Sequence, residues 1–276
     1  VAGIVALLRR RAAVALGLAI ALGAAALGNG AVLLARGFGG STADGDLTVA
    51  VWNTYGGGAP PEAIARLVRE SGADVVSLPE TDADAAAEVV GILERDGIRM
   101  TAATVDAAPG DRPVPTSLLV ADALGPYVLD PAAGSTPGAP SGVWRPVDGT
   151  GPTLIAAHPL PPLPFIIDDW AQGIDWVAAQ CAEPDVILAG DLNSTLDHLS
   201  GLGRGGAAVG ECRDAAQQAG AAARGTWPTS MPAALAAPID HVLVGSAWIV
   251  RGFEVPTDFD DAGSDHRPVV AVLSRR

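Results

Sequence analysis

The sequence lacks lysine altogether and contains only two cysteines among its 276 residues. So few cysteines exclude a disulfide-dense scaffold and a cysteine-rich zinc site. Acidic residues are absent from the first forty positions, which hold four arginines, whereas residues 41–276 contain 13 basic and 31 acidic residues, a formal net charge of −18. Such a surface repels polyanions over a Debye length and lacks the basic face of a dedicated nucleic-acid binder.

Hydrophobic residues make up 49% of the chain, with a long apolar run near the N-terminus. Residues 12–34 carry no charge and one clearly polar side chain, Asn29. As a helix they would extend roughly 34 Å, enough to cross a bilayer. Three arginines at 9–11 precede the run and only Arg36 follows closely, so the positive-inside rule places the N-terminus in the cytoplasm. We predict a membrane anchor over residues 1–40.

This anchor would leave the rest of the chain on the outer face of the plasma membrane, attached by a single span. A cleaved signal peptide followed by secretion is the alternative, because a basic start and an apolar run look the same in both. No convincing small-x-small cleavage site follows the run, which favours the anchor. About a dozen residues, "ARGFGGSTADGD", join the span to the first predicted strand. As a flexible linker they would reach about 20 Å.

Residues 41–276 have a comfortable size for one α/β domain, and their patterns alternate between strand and helix. Strands are predicted at 47–53, 74–80, 153–158, 185–190, near 239–244, 248–255 and 268–273, and in the pieces "SLLVAD" and "GVWRPV". Helices are predicted from Pro61 to Gly72, from a cap at Thr81 to Gly97, and along the stripe of Trp170, Ile174, Val177 and Cys181. Early alternation and late strands indicate a layered α/β sandwich.

Polar residues recur at the C-terminal ends of these strands or just past them. They are Asn53, Glu80, His158, Asp191, Asn193, Asp240, Asp265 and His266. Each alone has an ordinary structural explanation, such as a turn residue or a helix cap. Together they predict one site, because strand ends deliver side chains to a common edge of the sheet. Carboxylates and an amide suit a hard divalent cation, and imidazoles paired with carboxylates suit proton transfer.

Six segments resemble the endonuclease/exonuclease/phosphatase superfamily, whose fold is that of deoxyribonuclease I. They are "VAVWN", "ADVVSLPET", "IAAHP", "VILAGDLNST", "PIDHVLV" and "GSDHRPVVA", spread over residues 47–273. "GDLN" and "SDHRP" in this order are specific, whereas "WN" and "PE" are weak alone. The resemblance implies a four-layer α/β/β/α sandwich with two central β-sheets, and metal-dependent phosphoester hydrolysis at one edge.

The resemblance also implies a metal site. Glu80 would hold Mg²⁺, or Mn²⁺ in its place, with Asn53 in support and Asp265 as a further ligand or water-orienting group. The acidic motif departs from the family's more usual Gln before Glu, since Pro79 stands there. Proline cannot donate to a sheet ladder, so the backbone before Glu80 is expected to be unusual.

Catalytic roles follow from the same resemblance. Asp191 would orient or deprotonate the attacking water, and the Asn193 amide would donate to the transferring group. His266 would polarise the phosphate, while Asp240 fixes its tautomer and raises its basicity. His158 would lie beside the phosphate, near the leaving oxygen. No equivalent is found of the tyrosine that some nuclease branches use.

Four residues outside this set leave alternatives open. His241 follows Asp240 on a strand and should face the other way, which favours a structural role, while His198 has no assigned role. Cys181 and Cys212 are 31 positions apart and would lie in a compartment where disulfides persist. They could form a bridge, or Cys181 could be a small buried hydrophobe on its helix.

Three functions remain in competition. The anchored topology and the "TWP" at 226–228 resemble the VanJ-type membrane branch of the superfamily, associated with glycopeptide resistance and undecaprenyl pyrophosphate. This implies an extracytoplasmic, monomeric phosphoesterase with the bilayer and a phosphorylated lipid as partners. The apolar loop "HPLPPLPFII" after His158 supports a lipid substrate, because exposed apolar surface typically marks a partner or a membrane. A secreted or surface nuclease, disfavoured by charge, and a binding module with a decayed site are the alternatives.

Overall fold

The computed structural model describes residues 2–40, 43–107 and 114–276. It begins with a long helix, α1 (Ala2–Arg36). Within the described residues, Arg9–Arg36 is the one helical segment long and apolar enough to cross a bilayer, and none of its most apolar window is buried against the domain. The predicted apolar span thus lies in a protruding helix.

The remaining described residues form helices and strands close to the predicted ones. The helices are α2 (Pro61–Ser71), α3 (Ala83–Arg95), α4 (Ile167–Gln180) and α5 (Ala215–Gln218). The strands are β1 (Leu47–Val51), β2 (Val75–Pro79), β3 (Met100–Val105), β4 (Thr116–Ala121), β5 (Tyr127–Leu129), β6 (Gly142–Pro146), β7 (Thr153–Ala157), β8 (Val186–Asp191), β9 (Arg213–Asp214), β10 (Asp240–Val244), β11 (Trp248–Glu254) and β12 (Val269–Arg275).

The strands pair into two mixed six-stranded sheets. Their orders are β11-β12-β1-β2-β4-β3 and β5-β6-β7-β8-β10-β9. Each sheet has one parallel pair near its middle, β1 with β2 and β7 with β8, and its other pairs are antiparallel. The parallel pairs are the products of the strand–helix–strand patterns, because parallel strands need a crossover connection.

Three apolar clusters fill the spaces between four layers. One lies between the two sheets, where residues such as Val51, Leu154 and Val242 are fully buried. A second buries α2 and α3 on the outer face of the first sheet, and a third buries α4 on the outer face of the second. The predicted α/β/β/α sandwich is therefore confirmed.

The structure corrects some local predictions. The N-cap of α3 is Asp82, whose carboxylate accepts a hydrogen bond from the Ala85 amide, and not Thr81. Thr81 is buried, and its hydroxyl contacts the hydroxyl of Thr54 at 2.9 Å. The joint between span and domain is also not a free linker, because Gly37 and Gly39 hydrogen-bond to the domain.

Cys181 and Cys212 form a disulfide. Cys181 is at the same time the C-terminal cap of α4, and both residues are fully buried. The bridge therefore joins the end of α4 to the segment before β9, with β8 in the closed loop.

Candidate active site

The predicted site residues meet at one edge of the sandwich. Asn53, Glu80 and His158 come just after β1, β2 and β7, and Asp191 is the last residue of β8. Asp240, by contrast, begins its strand, so the expectation that every member would follow a strand was wrong. Because β10 is antiparallel to β8, with Asp240 opposite Asp191, its start lies at the same edge.

Asp265 and His266 show the same difference. They precede β12, which runs antiparallel to β1 with Val269 opposite Val51. A strand that runs the other way delivers its beginning, not its end, to this edge. The edge, and not the strand polarity, is what the predicted residues share.

Asn53 links the acidic residues of the two sheets. Its amide nitrogen donates to Glu80 Oε1 at 3.3 Å and to Asp191 Oδ2 at 3.0 Å. Its side-chain oxygen accepts the Tyr55 amide at 2.9 Å. In this arrangement Asn53 offers donors to the carboxylates, and its oxygen is already engaged. It supports the acidic residues more directly than it could bind a cation.

The backbone around the cleft is strained at three places. Among the described residues, the non-glycine residues with positive φ are Tyr55, Glu80 and Asn193, at 57°, 61° and 47°. Such conformations cost on the order of 1–3 kcal/mol each and cluster at functional sites. At Glu80 a neighbouring residue stabilises the strained backbone conformation, because the Thr54 hydroxyl donates to the Glu80 carbonyl at 2.9 Å.

Pro79 fits this local geometry. It is the last residue of β2, and its carbonyl accepts the Thr54 amide at 3.1 Å. The missing N–H therefore falls where the ladder ends. The departure from the family's usual Gln does not prevent the Glu80 carboxylate from reaching the cleft.

His266 lies among three carboxylates. Its Nδ1 is 2.9 Å from Asp240 Oδ2, and its Nε2 is 3.7 Å from Asp191 Oδ2 and 3.9 Å from Asp265 Oδ1. Burial alone would lower the pKa of His266, but the charges of Asp240 and Asp191, with the Asp240 hydrogen bond and Asp265, raise it to about 10. The ring is therefore an imidazolium at neutral pH, with Nε2–H directed toward the cleft carboxylates.

Asp191 and His158 are shifted chiefly by burial. Asp191 is 1% exposed, and burial raises its pKa although His266 opposes the shift. Burial lowers the pKa of His158 although Asp191 opposes that shift, so this ring is neutral. His158 Nε2 is 3.7 Å from Glu80 Oε1 and 3.9 Å from Asp191 Oδ2.

The Asn193 amide is directed by its neighbours. Its backbone N–H donates to Asp191 Oδ1 at 2.8 Å, and its side-chain nitrogen donates to the Pro159 carbonyl at 3.0 Å. One side-chain N–H thus remains for a ligand. The predicted donation to the transferring group stays a prediction that this geometry permits.

Asp265 is oriented by a residue that sequence reasoning did not assign. The Trp227 indole N–H donates to Asp265 Oδ2 at 2.8 Å. The Trp227 loop is in turn held by Arg267, which is 1% exposed and donates to the carbonyls of Thr229 and Met231 at 3.0 and 2.7 Å. The arginine of "SDHRP" is the signal that could have indicated this role, since a buried guanidinium needs several acceptors.

The other two histidines differ in their surroundings. His241 is buried, with Nδ1 2.7 Å from Asp214 Oδ2 and Nε2 2.8 Å from the Ser194 carbonyl, a structural position outside the cleft. His198 is exposed and lines the cleft. Its Nδ1 accepts a hydrogen bond from the Thr195 amide at 3.0 Å.

The donor set fits a hard divalent cation. The Glu80 side chain is 23% exposed, and Asp265 Oδ1 is buried without a hydrogen-bond partner among the described residues. Carboxylate oxygens of this kind are the ligands that Mg²⁺ prefers. A second cluster, Asp191, Asp240 and His266, also has ligand atoms within 4.8 Å of one another. Its histidine and Asp240 already bind each other. The assignment of Glu80 and Asp265 as the ligands stays a prediction.

A cleft of about 520 Å³ joins this cluster to an apolar mouth. Its inner wall carries Asn53, Glu80, His158, Asp191, Asn193, Asp265 and His266. Its outer wall is formed by side chains of the loop after His158, together with Trp227 and Ile239. Among the described residues that line it, none is an arginine. The cleft can therefore seat one phosphate at the polar end beside apolar substrate.

Comparison with known proteins identifies the pattern. Residues 50–266 match the model of the family described as "Endonuclease/Exonuclease/phosphatase family". A search of curated proteins finds no match to this sequence.

Solved structures share the fold. An endonuclease/exonuclease/phosphatase from Beutenbergia cavernae is 21% identical with a TM-score of 0.62, covering 84% of this chain and 72% of that chain. TDP2 from D. rerio, complexed with a single-strand DNA product, is 16% identical with a TM-score of 0.63, covering 83% and 99%. A mannosyl-6-phosphatase from Bacteroides thetaiotaomicron is 18% identical with a TM-score of 0.54, covering 83% and 99%. At these identities the likeness establishes the fold alone.

Proposed function

The chain belongs to the endonuclease/exonuclease/phosphatase family, and from this we propose that it is a Mg²⁺-dependent hydrolase of a lipid-linked phosphate or pyrophosphate. The proposal places the catalytic domain on the outer face of the plasma membrane, anchored by α1. The near-complete set of site residues argues against a binding module with a decayed site.

Bound Mg²⁺, or Mn²⁺, held by Glu80 and Asp265 with Asn53 in support, would neutralise negative charge that develops on the phosphate oxygens. The chain's own groups supply the rest. Asp191 takes a proton from water as the water oxygen attacks phosphorus and the bond to the leaving oxygen breaks. Its burial-raised pKa makes it a better base than an exposed carboxylate.

His266 contributes charge and not a lone pair. As an imidazolium it donates Nε2–H to a non-bridging phosphate oxygen, and Asp240 holds the Nδ1 proton on the far side of the ring. The free N–H of Asn193 adds a second donor. Donors fixed before the reaction stabilise developing charge without reorganisation.

The observation that carries the choice of substrate is the cleft's composition. A polynucleotide presents phosphates on both sides of the scissile bond, and proteins that bind it supply arginine or lysine for them. This cleft combines carboxylates and imidazoles with apolar groups, among them Leu163 and the ring of Trp227, whose indole N–H donates to Asp265. A lipid phosphate needs that combination, because its first methylenes leave the water beside its charged group.

A nuclease is the second candidate, favoured by one observation. The structurally similar D. rerio TDP2 was solved with a single-strand DNA product. The domain charge of −18 opposes that activity here, as does the lack of arginine among the described residues that line the cleft.

The test compares three substrates under one set of conditions. Purified full-length protein in detergent receives a polyprenyl pyrophosphate, a soluble phosphomonoester or single-stranded DNA, each with Mg²⁺ and with excess chelator. We expect phosphate release from the lipid, lost with chelator and in Glu80→Gln. Faster cleavage of DNA than of any lipid phosphate would establish the nuclease instead, and no turnover of any substrate by correctly folded protein would support the binding module.

A further inference from the structure

The C-terminal end of α1 is attached to the catalytic domain. Arg36 forms a two-armed ion pair with Asp197, with Nη1–Oδ2 and Nη2–Oδ1 distances of 2.8 and 2.5 Å. The Arg36 side chain is 19% exposed and that of Asp197 is 70% exposed. A surface pair of this kind contributes little stability alone, so its meaning depends on what surrounds it.

Backbone hydrogen bonds surround it. The amides of Ala222 and Ala223 donate to the carbonyls of Arg36 and Gly37 at 3.1 and 2.9 Å, and the Gly39 amide donates to the Gly220 carbonyl at 3.0 Å. The alanines of segment 221–223 are buried. Residues 36–39, Asp197 and segment 220–223, here called the junction, are thus part of the folded domain.

Gly37 allows the backbone after α1 to approach the backbone of Gly220 closely. Its φ is +76°, a left-handed conformation that glycine adopts without strain. A Cβ at this position would clash with the Gly220 carbonyl oxygen. The approach of the two backbones therefore requires glycine at this position.

The two domain segments of the junction lead directly into the cleft. His198, the neighbour of Asp197, lines the cleft, and so does Trp227, four residues beyond Ala223. The apolar run predicted to span the membrane ends at Leu34, two residues before Arg36. The predicted span therefore reaches the junction without a flexible linker, and only a few residues connect the junction to the cleft wall.

We infer that the junction is an orienting clamp that holds the mouth of the cleft against the lipid surface. The surface it presents includes the exposed apolar side chains Phe165 and Leu235, which are 74% and 69% exposed. Both belong to loops that line the cleft at Leu163 and Trp227. The bilayer is the partner that the apolar helix leading into the junction brings within reach. The functional value of this orientation rests on the proposed action on a lipid phosphate.

The clamp also bears on the fate of α1. Cleavage between Gly37 and Gly40 would remove the carbonyls of Arg36 and Gly37, which accept hydrogen bonds from the amides of Ala222 and Ala223. The junction therefore disfavours signal cleavage at these positions, and we expect the helix to be retained. Intact mass of membrane-extracted protein should correspond to the uncleaved chain, and a mass lacking the first forty residues would overturn the clamp.

A matched pair of insertions tests the orientation. A four-residue Gly-Ser insertion between Leu34 and Ala35 separates the span from the clamp. The same insertion after Gly40 lengthens the chain but leaves the span joined to the clamp. A second pair compares Gly37→Val, which clashes, with Gly30→Val, where a Cβ meets nothing within 4 Å.

The readout does not depend on catalysis. A Leu235→Cys variant in a Glu80→Gln background carries an environment-sensitive label, in vesicles whose lipids are brominated in their acyl chains. We expect quenching in the parent, after insertion behind Gly40 and in Gly30→Val, and its loss with the earlier insertion and Gly37→Val. Quenching that is absent in the parent, or unchanged in all four variants, would overturn the clamp.

Activity is then measured separately with Glu80 intact. On vesicle-borne lipid phosphate the earlier insertion should lower turnover by about tenfold, an effective-concentration effect, with a soluble phosphomonoester unaffected. The expected quenching pattern without lipid turnover would leave the orientation standing and reject the proposed substrate. Turnover without that pattern would reject the clamp alone.

Discussion

At the scale of single residues, the site depends on backbone conformations that its side chains disfavour. Tyr55, Glu80 and Asn193 are all left-handed, and all three line the cleft. Glycine would adopt each of these backbone conformations with less strain, so the presence of a larger residue indicates that its side chain is needed in the site. The strain at Glu80 can be separated from its chemistry, because the two respond differently to substitution.

Substitutions of Glu80 should therefore lower the activity without lowering the thermal stability. Glu80→Gln keeps the shape and removes the charge, and we expect loss of most activity with little change in Tm. Glu80→Gly relieves roughly 1–2 kcal/mol of left-handed strain, against about 0.5–1 kcal/mol of added chain entropy, so its Tm should equal or exceed the wild-type value with activity also lost. Thermal unfolding and phosphate release measure both. A Glu80→Gly variant much less stable than Glu80→Gln would show that the side chain stabilises the fold.

Asp191 and His266 are expected to act in one step. Asp191→Asn and His266→Gln should each lower kcat by roughly 10²–10⁴-fold, the usual size of an acid–base or polarising group. The kcat of the double variant should be only slightly lower than that of the less active single variant. A step that already lacks one of the two groups loses little more when the second is removed. Single-turnover phosphate release would measure this. Multiplicative losses would mean that one of the two residues has been assigned the wrong role.

At the scale of elements, the sequence predicted best where one pattern repeats along a strand or helix. The apolar alternation of β1 was placed within two residues of its observed bounds. The stripe from Trp170 to Cys181 lies along α4, which begins three residues earlier, at Ile167. Short or edge elements such as β5 and β9 escaped prediction, because two or three residues carry no period. Thr81 was misjudged for a different reason, since burial against Thr54 outweighs capping, and Asp82 beside it caps as well.

The candidate site was predictable as a list but not as a geometry. Residue types at strand boundaries indicated Glu80, Asp191 and His266. The supporting contact of Trp227 comes from a loop 38 residues from Asp265 in sequence, and only the tertiary fold brings that loop to Asp265 and to Arg267. The sequence likewise did not predict the strand directions, since the antiparallel pairing of β10 and β12 with their neighbours depends on the tertiary fold.

β10 is joined to its neighbours by a buried ion pair with a pH signature. Both ring nitrogens of His241 face acceptors, Asp214 Oδ2 and the Ser194 carbonyl, so both must carry protons. Burial opposes this charge, but the Asp214 hydrogen bond and charge raise the pKa of His241. Because the pKa of His241 is higher in the folded than in the unfolded protein, its protonation stabilises the fold fully at pH values below the unfolded pKa of 6.5. That stabilisation is lost as the pH rises through the folded pKa.

We therefore expect the wild-type Tm to fall from pH 6 upward more steeply than that of His241→Gln, whose amide does not titrate. The variant should also be less stable at pH 6, by about 3–5 kcal/mol, because Asp214 loses its buried partner. Thermal unfolding from pH 5.5 to 9 of both proteins, with excess chelator, isolates this contribution. Parallel curves would show that His241 is neutral in the folded protein.

The disulfide holds the element that carries Asp191. Cys181 and Cys212 close a loop with a separation of 31 residues, within which β8 and Asn193 lie. In the chain-entropy model such a loop contributes about 3–4 kcal/mol. Non-reduced protein should take up no alkylating reagent and reduced protein two equivalents, and Cys181→Ala/Cys212→Ala should unfold at lower denaturant concentration. Two reactive thiols in protein purified without reductant would exclude the bridge.

At the scale of the whole molecule, the charge and the apolar surface are divided. The domain surface is strongly acidic, whereas the exposed apolar side chains of the loop after His158 lie at the mouth of the cleft. Leu163 and Phe165 of that loop and Ile167, the first residue of α4, are 38%, 74% and 39% exposed. Ile166 is only partly exposed, and its amide donates to the Leu163 carbonyl at 3.0 Å. The loop and the start of α4 thus present three apolar side chains outward from the site where phosphate would bind.

Replacing these three by serine should separate membrane substrate from soluble substrate. Each apolar side chain that enters the lipid interface contributes up to about 1.5–3 kcal/mol, so the triple variant should raise the apparent KM for vesicle-borne lipid phosphate by roughly tenfold or more. Turnover of a soluble phosphomonoester should be unchanged, because the substitutions leave the catalytic carboxylates and imidazoles in place. The matched control is Val128→Ser/Val147→Ser, two exposed valines that do not line the cleft, and it should leave both activities intact. Equal losses on both substrates would mean that the loop shapes the catalytic site itself. No loss on either would mean that the apolar mouth does not contact lipid.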